Sequence, residues 1–167
     1  MNKRNFFSNE YFKRLGRGWK PEMSFHGKTN ADWLKWRKKA EKKYFELMGE
    51  FPKPARLNPE ITSVEKRGGL IVERIVIDSE KNMSVPCIVL RPEKMRTDGK
   101  NRAIVCSHGH GPFGKEPVAG SRDKKFRENM RFHNYNYGEQ MAKRGFLTIC
   151  PDLRLFGERS EREDKCC

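Results

Sequence analysis

The sequence predicts an α/β fold: one mixed sheet with an antiparallel hairpin followed by a parallel βαβ unit, preceded by an amphipathic helix. Three observations predict it. Trp33, Trp36, Ala40, Tyr44 and Leu47 recur at helical spacing. Residues 70–77 and 85–90 are rich in β-branched side chains and are separated by the polar segment 78–82. Two further apolar runs, residues 103–107 and 146–150, bracket a stretch with helical character.

In chain order, residues 1–28 mix Arg, Lys and Gly with Phe6, Phe7, Tyr11, Phe12 and Trp19 in no sustained period, which predicts an extended basic, aromatic arm ahead of a domain over 29–167. Thr29 and Asp32 form a capping pair and Gly49 supplies a stop, so a helix is expected over 31–48, its aromatic stripe packed on the domain and its basic face solvated. Pro52, Pro54 and Pro59 oppose regular structure and predict a linker. The hairpin follows, with Pro86 expected on an edge strand or at a strand start because it cannot donate to a ladder. After the polar loop 96–101 comes the strand 103–107, then a long loop beyond Gly111 rich in charge and aromatics. A helix over 137–144, capped by Gly145, leads to the strand 146–150, parallel to the first through a right-handed crossover. The hairpin should lie at one side of the sheet and the parallel pair inside it.

The 167 residues suffice for one domain with a core. No apolar run approaches the roughly 20 residues that cross a bilayer, and the basic start is followed by Ser8, Asn9 and Glu10 rather than an apolar signal core, so a cytoplasmic, non-membrane protein is expected. The net charge is +14, with local clusters at 37–39, 42–43 and 122–127. Such a field attracts phosphates, acidic surfaces or acidic substrates, but no nucleic-acid-binding signature accompanies it, so a solvated basic surface is the expected reading. The rival is a basic nucleic-acid-binding protein gripping its ligand with the arm and the aromatic segment 126–137. Cys87, Cys106 and Cys150 sit in apolar runs as expected core thiols, while Cys166 and Cys167 lack any partner at metal-ligand spacing; no metal or cofactor is expected.

The chemical centre is residues 102–111, Arg-Ala-Ile-Val-Cys-Ser-His-Gly-His-Gly, an apolar strand that breaks into two histidines interleaved with two glycines. Loops at the carboxyl ends of such strands are where open α/β sheets place ligands. The order of an apolar strand ending in His-Gly, then a helix, then a strand ending in Pro-Asp-x-Arg with a glycine close behind resembles the α/β-hydrolase superfamily. Arg67-Gly68-Gly69, Ser107-His108-Gly109-His110-Gly111 and Pro151-Asp152-Leu153-Arg154-Leu155-Phe156-Gly157-Glu158-Arg159 look like its dienelactone-hydrolase and acetylxylan-esterase-like branch.

The resemblance implies the amino-terminal portion of a serine ester hydrolase with an incomplete α/β-hydrolase fold, no cofactor, and a small-molecule or carbohydrate ester as substrate of the complete enzyme. It assigns oxyanion donors to the backbone of His110 and Gly111, and loop-shaping roles to His108, Gly109, Asp152 and Arg154. His108 would brace the loop by hydrogen bonding, and Asp152 and Arg154 would pin the second strand end by a salt bridge. The family's GxSxG elbow and its later acid and histidine have no counterpart here: Ser107 lies inside a strand end and Ser121 has no strand before it. No catalytic residue is therefore assigned within the chain, and His26 and His133 are expected on the surface. The strand 146–150 should present unpaired apolar surface unless a partner covers it. A homo-oligomer would do so, and an inactive, oligomer-forming hydrolase remnant is the second rival.

Overall fold

The computed structural model describes residues 4–161, so Cys166 and Cys167 lie outside the described residues. The chain divides into two compact units, Met1–Phe51 and Pro52–Cys167.

The first unit holds α1 (Ser8–Gly18) and α2 (Asn30–Met48). The arm expected to be extended is thus helical over α1; Phe7, Tyr11 and Leu15 fall four residues apart, a helical period diluted by Lys and Arg between them. Helix α2 starts on a reciprocal cap: the Asp32 amide donates to Thr29 Oγ1 at 3.1 Å and the Thr29 amide donates to Asp32 Oδ2 at 3.0 Å. The first part of its aromatic stripe packs within the unit, whereas Tyr44 and Leu47 further along it are exposed. Trp33 and Trp36 stack with centroids 5.1 Å apart, Phe25 meets both at 5.6 and 5.5 Å, and Trp36 Nε1 donates to the Met23 carbonyl at 2.9 Å.

The second unit is a five-stranded mixed sheet of β1 (Glu60–Arg67), β2 (Leu70–Glu80), β3 (Met83–Pro92), β4 (Ala103–Val105) and β5 (Leu147–Pro151), in the order β1-β2-β3-β5-β4. The proline-bearing segment 52–59 forms no helix or strand, as expected of a linker, and β1, where no strand was expected, follows it and pairs antiparallel with β2 around Gly68 and Gly69. Both glycines have positive φ, 58° and 78°, the pairing of angles that a two-residue type I′ turn demands and that lets its twist match the strands. The expected hairpin is β2 and β3, longer than its apolar runs because the Asp78–Ser84 and Glu80–Met83 pairs extend the ladder to a two-residue turn. Pro86 sits inside β3, which has neighbours on both sides, rather than on an edge. It is tolerated because the β5 ladder starts one residue later, at Cys87, and only the Pro86 carbonyl is used there, by the Asp152 amide at 3.0 Å.

Strands β4 and β5 are parallel, as expected, but β5 lies inside, antiparallel to β3, and β4 forms the edge. The strand expected to be unpaired is therefore covered on both sides. Strand β4 is also shorter than expected, because its last ladder bond runs from the Cys106 amide to the Ile149 carbonyl and the chain then turns away. The long loop after Gly111 is broken by α3 (Lys115–Val118) and α4 (Arg127–His133), and α5 (Tyr137–Lys143) returns the chain to β5. Leu70, Val72, Ile88, Leu90, Cys106 and Cys150 from the sheet form one core with Val118, Ala119 and Ala142. Cys87, Cys106 and Cys150 are buried free thiols, as small core residues are.

Candidate functional site

Beyond β4 the chain is fastened at three points. The Tyr137 hydroxyl donates to the Ser107 carbonyl, the Gly109 amide donates to the Tyr135 hydroxyl, and the buried His108 ring bridges the loop to the end of β5. The Leu153 amide, which can only donate, lies 3.0 Å from His108 Nε2; Nε2 therefore accepts, and Nδ1 carries the proton it donates to the Gly109 carbonyl at 2.8 Å. A histidine with both nitrogens committed to backbone positions the loop and has no free base to offer.

Immediately after these fastenings, the amides of His110 and Gly111 make no hydrogen bond among the described residues. The loop lines a cavity of about 270 Å³ that Phe113, Asn129, His133 and Tyr135 also face. Asn129 Oδ1 is buried without a partner, and Asn129 lines the same small chamber as His110 and Gly111. His110 is exposed, its ring standing edge-on to Phe156 at 5.5 Å, and the His108 ring meets the same phenyl at 5.1 Å.

Behind Phe156 lies a cluster that sequence reasoning missed. Asp152 does not pair with Arg154, which is exposed and reaches Glu80 instead. Asp152 is buried and takes Lys115: Nζ at 2.6 Å from Oδ2, and the Lys115 amide at 2.8 Å from Oδ1. The Glu158 amide donates to Oδ2 at 3.0 Å, and the Glu158 carboxylate also contacts the ammonium. The backbone crowds this carboxylate so closely that a Cβ on Gly114 or Gly157, both at positive φ, would lie 2.2 or 2.3 Å from Oδ1. Outside the buried pair, Arg74 grips Glu116 with two hydrogen bonds of 2.7 and 2.9 Å. One lysine among 36 basic residues, paired with a carboxylate 37 positions away, left no local signal.

Glu139 is a second buried carboxylate, held by Arg122, Lys143 and Asn136 at 2.6, 3.2 and 3.1 Å. Burial pushes its carboxyl up, but the hydrogen bonds from Asn136 and Lys143 and the charge of Arg122 outweigh that and hold it below its ordinary value. Ser107 and Ser121 stand where no nucleophile elbow exists, His26 and His133 are both exposed, as expected, and no group of His, Cys, Asp and Glu among the described residues could hold a metal ion. No described helix is long and apolar enough to cross a membrane.

No family model matches the chain. Over 127 residues it is 24% identical to YtaP of Bacillus subtilis (strain 168), provisionally named a hydrolase, a match covering 74% of this chain and 39% of that protein. A solved structure from Bacteroides fragilis NCTC 9343, provisionally named an acetyl xylan esterase, superimposes with a TM-score of 0.72 at 24% identity over 96% of this chain and 40% of that one. The mixed α/β sheet described above is thus shared with that structure, and the chain spans about two fifths of the length of either relative.

Proposed function

We infer that this chain is the amino-terminal portion of a serine ester hydrolase of the α/β-hydrolase superfamily, in which the His108–Gly111 loop supplies one half of an oxyanion hole. The observation that carries the reading is the pair of uncommitted amides at His110 and Gly111, in a loop otherwise tied down at Ser107, His108 and Gly109. When a serine attacks an ester carbonyl, the carbonyl oxygen gains negative charge, and a fixed N–H aimed at it stabilises that charge by about 2.7–4 kcal/mol. The second donor is the amide that follows the nucleophile. In this reading the nucleophile, its acid and its histidine lie in polypeptide beyond this sequence. The exposed outer edge of β4, with Val105 at 66% exposure, supports it, since parallel strands are ordinarily covered on both faces and continue into further strands. The likeness in fold to a protein named as an acetyl xylan esterase supports carbohydrate acetyl esters as the substrate class, with no cofactor required.

The test is hydrolysis of p-nitrophenyl acetate. The 167-residue chain should show no turnover above buffer. A longer protein that continues it through GxSxG, Asp and His should hydrolyse the ester through an acyl-serine. Turnover by the 167-residue chain that disappears in Ser107→Ala or Ser121→Ala would overturn the reading.

A further inference from the structure

The opposite end of the parallel strands carries a second feature. Arg102 precedes β4 and Phe146 precedes β5, and between these strand starts, the Gly68–Gly69 turn and the end of α5 runs a groove of about 690 Å³. Six cations line it: Lys94, Arg96, Lys100, Arg102, Lys143 and Arg144. Among the described residues no carboxylate lines it, and in a chain that has 22 acidic residues this separation of sign is local rather than inherited from composition.

We propose that this groove binds an anion carrying two or more phosphate groups. Three of the cations are already engaged at its margins: Arg96 with Asp98 at 2.5 Å, Lys143 with Glu139 at 3.2 Å, and Arg144 with the Gln140 carbonyl at 3.1 Å. The side chains of Lys94, Lys100 and Arg102 have no such partner among the described residues. The loop that presents them is ordered beforehand. The Arg96 amide donates to Asn101 Oδ1 at 3.1 Å, Asn101 Nδ2 donates back to the Arg96 carbonyl at 3.0 Å, and the Lys100 amide donates to Asp98 Oδ1 at 3.1 Å. A preset loop spends little entropy on binding, and an arginine fork with flanking ammonium groups suits tetrahedral phosphate oxygens. The concave shape and a volume in the range of small-ligand sites favour a compact polyphosphate or polyphosphorylated molecule over a flat membrane surface or an extended strand. The site lies at the strand ends remote from His110, so it is separate from the loop assigned to ester chemistry.

The test is calorimetric titration of the full chain with inorganic tripolyphosphate, inorganic orthophosphate and a single-stranded oligothymidylate. Tripolyphosphate should bind saturably with one site, at least about tenfold tighter than orthophosphate, and weaken as salt rises from about 50 to about 300 mM. The double variant Lys100→Glu/Arg102→Glu should lose at least about tenfold in affinity, and so should the milder Arg102→Gln/Lys100→Gln if the first is unfolded by circular dichroism. Lys38→Glu/Lys39→Glu on α2 should change it less than twofold. Absence of saturable binding, equal losses in the two sets of variants, or oligothymidylate binding tighter than tripolyphosphate through the same residues would each overturn the proposal.

Discussion

The ammonium of Lys115 lies 2.6 Å from the carboxylate of Asp152, and their side chains are 2% and 0% exposed. One residue opens α3 and the other follows β5, so the pair joins the segment leaving the His108–Gly111 loop to the segment carrying Phe156. Phe156 is the surface on which the rings of His108 and His110 rest. Asp152 also accepts from the Glu158 amide, so the pair fixes the backbone on either side of Phe156.

Removing one member should be costly because the other stays buried. Lys115→Met leaves the Asp152 charge facing two amides and no cation, and should destabilise the chain by about 3–5 kcal/mol. Lys115→Met/Asp152→Leu, which removes both charges, should cost less than the single variant. Urea unfolding of both variants measures this, and a single-variant loss under about 1 kcal/mol would contradict a strongly coupled pair.

The glycines around Asp152 allow strain and crowding to be separated. Gly157 and Gly68 have nearly the same φ, 56° and 58°, yet a Cβ at Gly157 meets Asp152 Oδ1 at 2.3 Å whereas one at Gly68 meets nothing within 4 Å. Gly68→Ala should cost only the left-handed penalty of about 1–2 kcal/mol. Gly157→Ala should cost that plus displacement of a buried, charged carboxylate. Equal midpoints in urea would show that the Asp152 cradle yields without penalty.

How much of this was legible in the sequence follows from where each signal is generated. Helix α2 writes both its cap and its stripe into adjacent residues, and β2, β3 and β5 carry apolar runs because they are buried in the sheet. Strand β1 carries no such signal, as all its residues but Arg67 are exposed; what makes it a strand is the Gly68–Gly69 turn and its partner β2. Helix α1 has no buried residue, so its four-residue period was lost among Lys and Arg. At the site, the His-Gly-His-Gly turn was legible as local chemistry. Lys115 was not, since its meaning depends on a contact made only after β5 returns to the sheet.

Alkaline pH should weaken the fold through two acids, the buried Cys87 thiol and the partly buried Tyr137 hydroxyl. Burial pushes the Cys87 thiol up to about 11 from 9.0, and burial, with Tyr135 beside it, pushes the Tyr137 hydroxyl up to about 12 from 10.0. Both protons are held more tightly folded than unfolded, so their stabilisation is fully present below about pH 9 and is lost as pH rises through 9–11 for Cys87 and 10–12 for Tyr137. Tyr137→Phe should remove the upper part of that decline while sacrificing the hydrogen bond to Ser107 at all pH values. Melting temperatures measured from pH 7 to 12 would show it; parallel profiles for the two proteins would contradict the assignment.

Strand β4 poses a different hazard. Its three residues pair on one side with β5 and present the other side unpaired among the described residues, and Val105 adds an apolar side chain to that exposed edge. Open, apolar edges recruit other strands, and natural sheets discourage this with charge. Val105→Lys should therefore slow self-association, read as the growth of light scattering on warming, while changing the urea midpoint by an amount equivalent to no more than about 0.5 kcal/mol, since the side chain it replaces is solvent-facing. Unchanged scattering would place the association elsewhere. A large loss of stability would mean that Val105 packs against something in solution, and the edge would then be covered by another copy of the chain.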